Sequence, residues 1–410
     1  MNYILMAVPM FLILILIEFL WDQYKQAGTY RLNDTINSIT MGIMSRISGI
    51  LYAAIPFSAY AYLYEDYGLF TWDTTSYLTW ILAFVLYDLS YYWNHRMGHT
   101  LNISWASHVV HHSSEEYNLS TALRQTSVPN IIGWIFYLPI AFLGFPPVVL
   151  ATVGALNLLY QFWVHTQHIN KMPNWYEAIF VTPSNHRVHH GKNKVYIDKN
   201  HGGVFILWDR IFGTFQKELE HEKVIFGIST QLGTWNPIWG NVHFLTSLIK
   251  DAWKTKSWVD KLTLWFRPTG YRPQDMEENF PVIKSNKAVE KYETTSNSFI
   301  KFYIFSQFVF TLSICFAYLH MASNLNLIQQ GIGFSILAYS LLSLSFIQEG
   351  KPYVFFSESI KFIGLLLTAQ FIILTDNASY LIILFTAITS LIFLFFANTQ
   401  DKQEITALKP

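Results

Sequence analysis

The sequence predicts an all-α, polytopic integral membrane bundle. Three observations predict it. Hydrophobic residues make up 52% of the 410 positions and charged residues 13%. The apolar residues collect in runs long enough, at about 18 residues, to cross a bilayer as helices. Aromatic residues, 17% of the chain, gather near the ends of those runs as interfacial Trp and Tyr do. A chain this apolar is neither disordered nor collagenous. With 27 basic and 27 acidic residues it has no global basic field to draw nucleic acid. The one cysteine, Cys315, sits inside an apolar run, which excludes an intramolecular disulfide and thiolate metal sites.

Taken in chain order, the first run, 3–20, has no basic segment before it and no small-residue cleavage site after it, so it reads as a retained spanning helix. Further runs stand at 47–64 and 76–93. The stretch 131–164 is interrupted by Pro139, Gly144, Pro146 and Pro147 and reads as a helical hairpin that crosses or re-enters. A polar region from 165 to 298 follows, and four runs close the chain at 302–319, 327–346, 355–374 and 380–397. With the N-terminus outside, the external loops 65–76, 322–326 and 376–379 contain no Lys or Arg, and the basic residues of the remaining loops all fall on the other side. The polar centre is therefore expected on the cytoplasmic side. The segment 267–297, with Pro268, Gly270, Pro273 and mixed charges, reads as a solvated linker.

Histidine carries the chemistry. Of 14 histidines, all but His320 lie between His95 and His243. Three clusters stand out: His95 and His99 in NHRMGH, His108, His111 and His112 in ASHVVHH, and His186, His189 and His190 in SNHRVHH. Residues at i, i+3 and i+4 share a helix face, so each cluster can aim its rings at a common point. Neutral imidazole suits iron, zinc, copper and nickel, and the lack of thiolates argues against iron–sulfur and finger-type zinc. Eight imidazoles are too many for one ion and suit two with open positions. His165, His168, His201 and His243 are candidates for additional ligands. Asp88, seven residues before His95 on the same helix, is placed to accept the free ring N–H of a ligating imidazole; its bland reading is a polar group facing a polar centre. Glu115, Glu116, Asp198 and Asp209 read by default as solvated carboxylates, and Glu18 is left unassigned. Gly191 is placed to close the third cluster's helix in a left-handed cap, with Gly202 and Gly203 permitting a tight turn beyond it.

Two other classes fit a histidine-rich membrane protein. Haem held between two stacked histidines would leave six of the eight unexplained. A metal carrier usually places its ionisable groups near the midplane of spanning helices, whereas these lie just beyond helix ends. No flavin, Walker or dinucleotide fingerprint is present, so electrons for any oxygen chemistry must come from outside, from a small reductant or an electron-donor protein.

The strings HRMGH, HVVHH and NHRVHH resemble the fatty acid hydroxylase and sterol desaturase superfamily of membrane di-iron enzymes. Within it the chain is similar to the alkylglycerol monooxygenase family through HHSSEEYNLSTALRQ (111–125), LLYQFWVHT (158–166), TPSNHRVHHGKN (182–193) and YIDKNHGGVFILWDRIFGTF (196–215). The resemblance implies two iron ions, molecular oxygen as co-substrate, tetrahydrobiopterin as reductant, and hydroxylation of the carbon next to an ether oxygen, releasing a fatty aldehyde from a membrane lipid. It implies that the eight clustered histidines are metal ligands, that His165 and His243 stand where the family has histidine, and that Asp88 matches an acidic residue before the first box. Three positions depart from the pattern: Thr100 stands for a glutamate, Asn185 for a histidine and His201 for a tyrosine. A sterol or fatty acyl hydroxylase or desaturase is the alternative within the superfamily; a non-catalytic metal or haem protein is the alternative outside it. The organisation expected is N-terminal transmembrane helices at 1–75, a catalytic region at 76–243, a cytosolic linker at 244–298 and C-terminal transmembrane helices at 299–410.

Overall fold

The computed structural model describes residues 3–130, 132–372 and 388. It is helical, and among the described residues the only β pairings are isolated bridges such as Leu101 with Pro268. The expected run 380–397 lies, but for Ile388, outside the described residues. Chain contacts divide the protein into two compact units: Met1–Ser45, Tyr52–Gly233 and Trp239–Tyr292 form the first, and Arg46–Leu51, Thr234–Ile238 and Glu293–Pro410 the second.

In the first unit, α1 (Tyr3–Lys25) is the expected apolar helix, and its Phe11 stacks on Phe162 at 4.1 Å. The run 47–64 is not one helix. The chain is already helical at Leu32, runs as α2 (Leu32–Tyr52), and restarts as α3 (Ala54–Tyr67) after a 52° bend. Pro56 explains the restart: it cannot donate a backbone hydrogen bond and fits only the first turn of a helix. Hydropathy does not show the early start of α2 because its first turns bury Asn33, Asp34, Asn37 and Ser38 beside Ile36 and Ile39. Next, α4 (Tyr77–Thr100) and α5 (Asn102–His112) are joined through the extended Leu101, which folds α5 back until the ring of His108 faces Gly98. A short α6 (Leu119–Ala122) follows.

The interrupted stretch is broken where its prolines and Gly144 fall: a 3₁₀ turn at Gly133–Tyr137 and α7 (Leu138–Phe142) lead through Gly144 into α8 (Pro147–Trp163). Gly144 has φ of 84°, and a Cβ there would stand 1.8 Å from the carbonyl oxygen of Phe70, so only glycine fits. Tyr60, Ala83, Ile140, Phe145 and Val149 make the core joining α3, α4, α7 and α8. The polar centre adds α9 (Asn174–Ile179), α10 (Pro183–His189), α11 (Leu207–Ile211), α12 (Pro237–Lys254), α13 (Trp258–Thr263) and α14 (Gln274–Asn279).

The second unit is built on α15 (Ser298–Met321), α16 (Leu327–Gln348) and α17 (Val354–Ile372). Among the described residues, three helical stretches, Ala7–Lys25, Ser298–Asn324 and Leu327–Gln348, are long and apolar enough to cross a membrane, or four if the bent α2–α3 pair is one span. The protein is thus an integral membrane protein. The expected span at 76–93 is not among these, because in α4 the tyrosines, Asp88 and Asn94 dilute the apolar character; the expected span at 355–374 runs past Ile372, beyond the described residues.

Candidate metal centre

Nine histidines from four stretches of backbone converge. His95, His99, His108, His112 and His189 form one group and His111, His165, His186 and His190 another, the potential ligand atoms of each lying within 4.8 Å of one another. Helix geometry explains the division. Residues four apart point the same way, so His95 with His99, His108 with His112, and His186 with His190 stay together. Residues one apart diverge by about 100°, so His111 and His189 turn to the opposite group from His112 and His190. His165 joins from the turn after α8. The two groups touch, the rings of His112 and His190 being stacked with centroids 4.3 Å apart, which leaves no slot for a porphyrin between them.

Backbone carbonyls set the tautomers. The Nδ1 of His95 bonds to the carbonyl of His201, that of His111 to Arg124, that of His165 to Gln161 and that of His189 to Lys199, at 2.8–3.0 Å. A carbonyl only accepts, so each Nδ1 carries the proton and each Nε2 is left with a lone pair. Yet the Nε2 atoms of His111 and His165 stand 3.2 Å apart. Two lone pairs face to face with no proton between them repel, and only a cation placed between them makes the arrangement favourable. A nitrogen ligand sits about 2.0–2.1 Å from a first-row ion, so two at right angles are about 3 Å apart. The Nε2 separations of His95 and His108 at 3.0 Å, His108 and His112 at 3.1 Å, and His165 and His186 at 3.1 Å match. Nε2 of His99, His189 and His190 is buried without a hydrogen-bond partner among the described residues. The residues fit two metal ions.

Protonation agrees with this. Burial, reinforced by neighbouring imidazoles, holds His108, His112, His165, His186, His189 and His190 well below the usual histidine range. Burial brings His111 down to about 4. Neutral imidazole is the form that binds metal.

Two sequence expectations are corrected. Asp88 accepts no imidazole N–H. Its carboxylate takes the backbone N–H groups of Val204 and Phe205, the Trp208 indole and the Asn157 amide at 2.6–2.9 Å, and so ties down the loop whose Lys199 and His201 carbonyls hold His189 and His95. Gly191 is not left-handed; positive φ falls on Asp198 and Asn200 in that loop. His243 belongs to neither group, and its Nδ1 bonds to the carbonyl of Gly240. His168 lies 3.3 Å from Asp22. His201 lies beside the first group, its ring centroid 5.1 Å from that of His99. Asn185 is the third residue of a capping box with Thr182 that starts α10. Asp209 holds the backbone N–H groups of His201 and Gly202, with burial raising its carboxyl to about 6. Glu115 and Glu116 meet Arg31, and Asp198 lies 3.8 Å from His99.

An apolar cavity of about 420 Å³ opens between α3, α4, the 3₁₀ turn and α8, walled by Phe57, Tyr60, Trp134, Leu150 and Leu158 among others. Tyr91, Asn157 and Gln161 are its polar lining. The Tyr91 hydroxyl donates to Gln161, Gln161 to Asn157 and Asn157 to Asp88, each at 2.6 Å. The Tyr91 ring lies 5.2 Å from that of His95, and the Gln161 carbonyl holds His165, so the lining touches both histidine groups. Asn157 and Gln161, four apart in an otherwise apolar helix, are the sequence signal for this lining. Glu18, whose role spacing alone does not indicate, accepts from Thr166, from Tyr30 at 2.5 Å and from the Leu119 N–H at 2.7 Å, fixing the turn that carries His165.

The fatty acid hydroxylase family model matches residues 80–214, which include all nine converging histidines. Human alkylglycerol monooxygenase is 38% identical over 378 residues, covering 90% of this chain and 83% of the relative. The Xenopus tropicalis alkylglycerol monooxygenase is 34% identical over 93% of this chain and 85% of its own. The chain belongs to the alkylglycerol monooxygenase family. The Danio rerio member is 43% identical over 66% of this chain and 60% of its own. No solved structure matches. Membership fits a site with many nitrogen ligands, no thiolate and an apolar cavity beside it.

Proposed function

We propose that the protein hydroxylates the alkyl chain of an ether lipid at the carbon next to the ether oxygen, with two iron ions held by the nine histidines. The facing lone pairs of His111 and His165 carry the metal part of this reading; the cavity and the family carry the lipid part. Bound there, the ions supply the activation of molecular oxygen. For each turnover one oxygen molecule, two electrons and two protons convert C–H to C–OH with release of one water, and the product hemiacetal breaks its C–O bond to give a fatty aldehyde and a glycerol derivative. The electrons come from tetrahydrobiopterin or another external donor.

The chain's own residues bind and position. Tyr60, Trp134, Leu150 and Leu158 enclose an alkyl chain and exclude water; Tyr91 and Gln161, at the polar lining, hold its reacting end toward the imidazoles. The backbone carbonyls of Gln161, Arg124, Lys199 and His201 keep four rings in the ligating tautomer. The distribution of Lys and Arg supports a cytoplasmic location for this site.

Purified, iron-loaded protein supplied with an alkylglycerol, oxygen and a tetrahydropterin is expected to release fatty aldehyde with one oxygen consumed per aldehyde. No aldehyde, with oxidised sterol or acyl lipid formed from another donor, replaces the ether lipid reading with the sterol or acyl one.

A further inference from the structure

The stretch from Ile249 to Arg267 presents an outer face that the metal chemistry does not use. Along α12, α13 and the turn after it, Ile249, Trp253, Trp258, Val259, Leu262 and Phe266 are all exposed, Trp253 by 84% and Leu262 by 72%. Ile249 and Trp253 stand four apart, as do Trp258 and Leu262, so the large side chains follow helix faces. Cations are interleaved with them: Lys250, Lys254, Lys256 and Arg267 are exposed. Lys261 folds over the Trp258 ring at 5.6 Å. The carboxylates of the same helices are engaged elsewhere, Asp251 with Arg272 at 2.6 Å and Asp260 with Tyr271 at 2.6 Å. The outer face is left aromatic and cationic.

We propose that α12, α13 and Phe266 lie in the headgroup region of the bilayer the chain spans and bind anionic phospholipid, the apolar side chains at the acyl boundary and the cations among the phosphates. Amphipathic helices that combine Trp and Leu with Lys bind membrane surfaces in this way, by apolar burial together with attraction to anionic lipid. An acidic electron-donor protein is the other occupant a basic face suggests, but it would leave an exposed run of large apolar groups unexplained, and such a run in water is a liability. The spanning helices guarantee that a bilayer is close at hand.

The placement acts on the metal centre through packing. Leu248 and Leu264 bury against Ala106 on the back of α5. Asn102, the first residue of α5, donates to the Leu264 and Tyr271 carbonyls at 2.9 and 3.1 Å and accepts from Gly270. The helix carrying His108, His111 and His112 is thereby seated on the interfacial pair. That is the depth at which the glycerol backbone, and any ether bond on it, lies. This last step rests on the proposed reaction; the membrane contact itself does not.

The full chain is reconstituted in vesicles of phosphatidylcholine, with or without phosphatidylglycerol, after Trp253→Cys, Leu262→Cys or Lys287→Cys is labelled with an environment-sensitive fluorophore; buried Cys315 stays in place and the unsubstituted chain gives the background. At 253 and 262 emission shifts to the blue, and spin-labelled lipid quenches several-fold more than aqueous iodide, with a further increase when phosphatidylglycerol is present. At 287 the order is reversed. Lys250→Glu with Lys256→Glu abolishes the phosphatidylglycerol increment and leaves the neutral-vesicle value. Labels at both 253 and 262 that stay open to iodide and indifferent to lipid overturn the proposal, whether or not an acidic protein then protects them. Aldehyde release is not read, so a failure here is separable from failure of the proposed reaction.

Discussion

The protein buries two dense polar clusters, and they are built on opposite principles. In the C-terminal unit, Glu358 accepts from Tyr303, Ser343 and Lys361 at 2.5–2.6 Å, and Lys361 also donates to Gln307 at 2.9 Å. Each charge there has its partner inside the protein. The histidine cluster of the first unit is left incomplete by protein alone: ring nitrogens of His99, His189 and His190 find no partner among the described residues, and the lone pairs of His111 and His165 confront each other. Burying an unmet polar group costs free energy that a satisfied network does not. A buried cluster that closes on itself is architecture, and one that does not is waiting for something the chain does not supply.

That contrast breaks most sharply at the imidazoles. His189→Ala in the first group, or His186→Ala in the second, is expected to reduce turnover by at least about 10³-fold while the helical circular dichroism is unchanged. Glu358→Ala should do the reverse. It strands Lys361 without a counter-charge, at a cost of about 3–5 kcal/mol seen as a lower melting temperature in detergent, while metal content stays at the parent value. Lys361→Met combined with Glu358→Gln should recover most of the loss. Retained turnover in His189→Ala, or metal loss in Glu358→Ala, would erase the distinction.

How far the sequence could see follows the same division. Eight of the nine participating histidines were legible because i, i+3 and i+4 spacing is a local property, and the apolar runs because hydropathy is too; His165, in no such cluster, stood out only through the family resemblance. Which ion each ring serves was not, since adjacent residues such as His111 and His112 part company only once α5 has a neighbour on each side. Asp88 was legible as a buried carboxylate in a helix, but its partners Val204, Phe205 and Trp208 lie more than a hundred positions away and are chosen by tertiary packing. The break between Tyr52 and Ala54 was masked because apolar residues continue through it.

Asp88 itself gives the next largest effect. Asp88→Asn keeps one acceptor oxygen and orphans part of the loop's N–H set, costing roughly 2–4 kcal/mol. By loosening the carbonyls that hold His95 and His189 it should weaken metal retention about tenfold, measured by competition with a chelator. Gly203→Ala, whose Cβ would stand 2.8 Å from Asp88 Oδ1, should shift retention the same way.

Acid tests the imidazoles more gently. His111 titrates near 4 in the folded chain against an ordinary 6.5, so between those values the unfolded chain binds the proton and the folded one does not. The contribution of His111 to the stability of the metal-free protein is therefore complete above pH 6.5 and falls as pH drops toward 4, while buried Asp209, raised to about 6, contributes with the opposite sign. Bound metal is displaced in the same direction. In a denaturation series from pH 8 to pH 4, His111→Gln should remove a downward acid slope that the parent protein shows; an acid slope unchanged by that replacement would mean that the ring is not held neutral in the native state.

The most direct measurement counts metal. Purified protein loaded with iron and freed of excess should hold two ions per chain, His189→Ala and His186→Ala should each retain one, and the two variants should show different iron spectra because each keeps a different ligand group. One ion or none in the parent protein, or a variant that loses both groups' signals together, would contradict the account of two neighbouring sites divided by helix geometry.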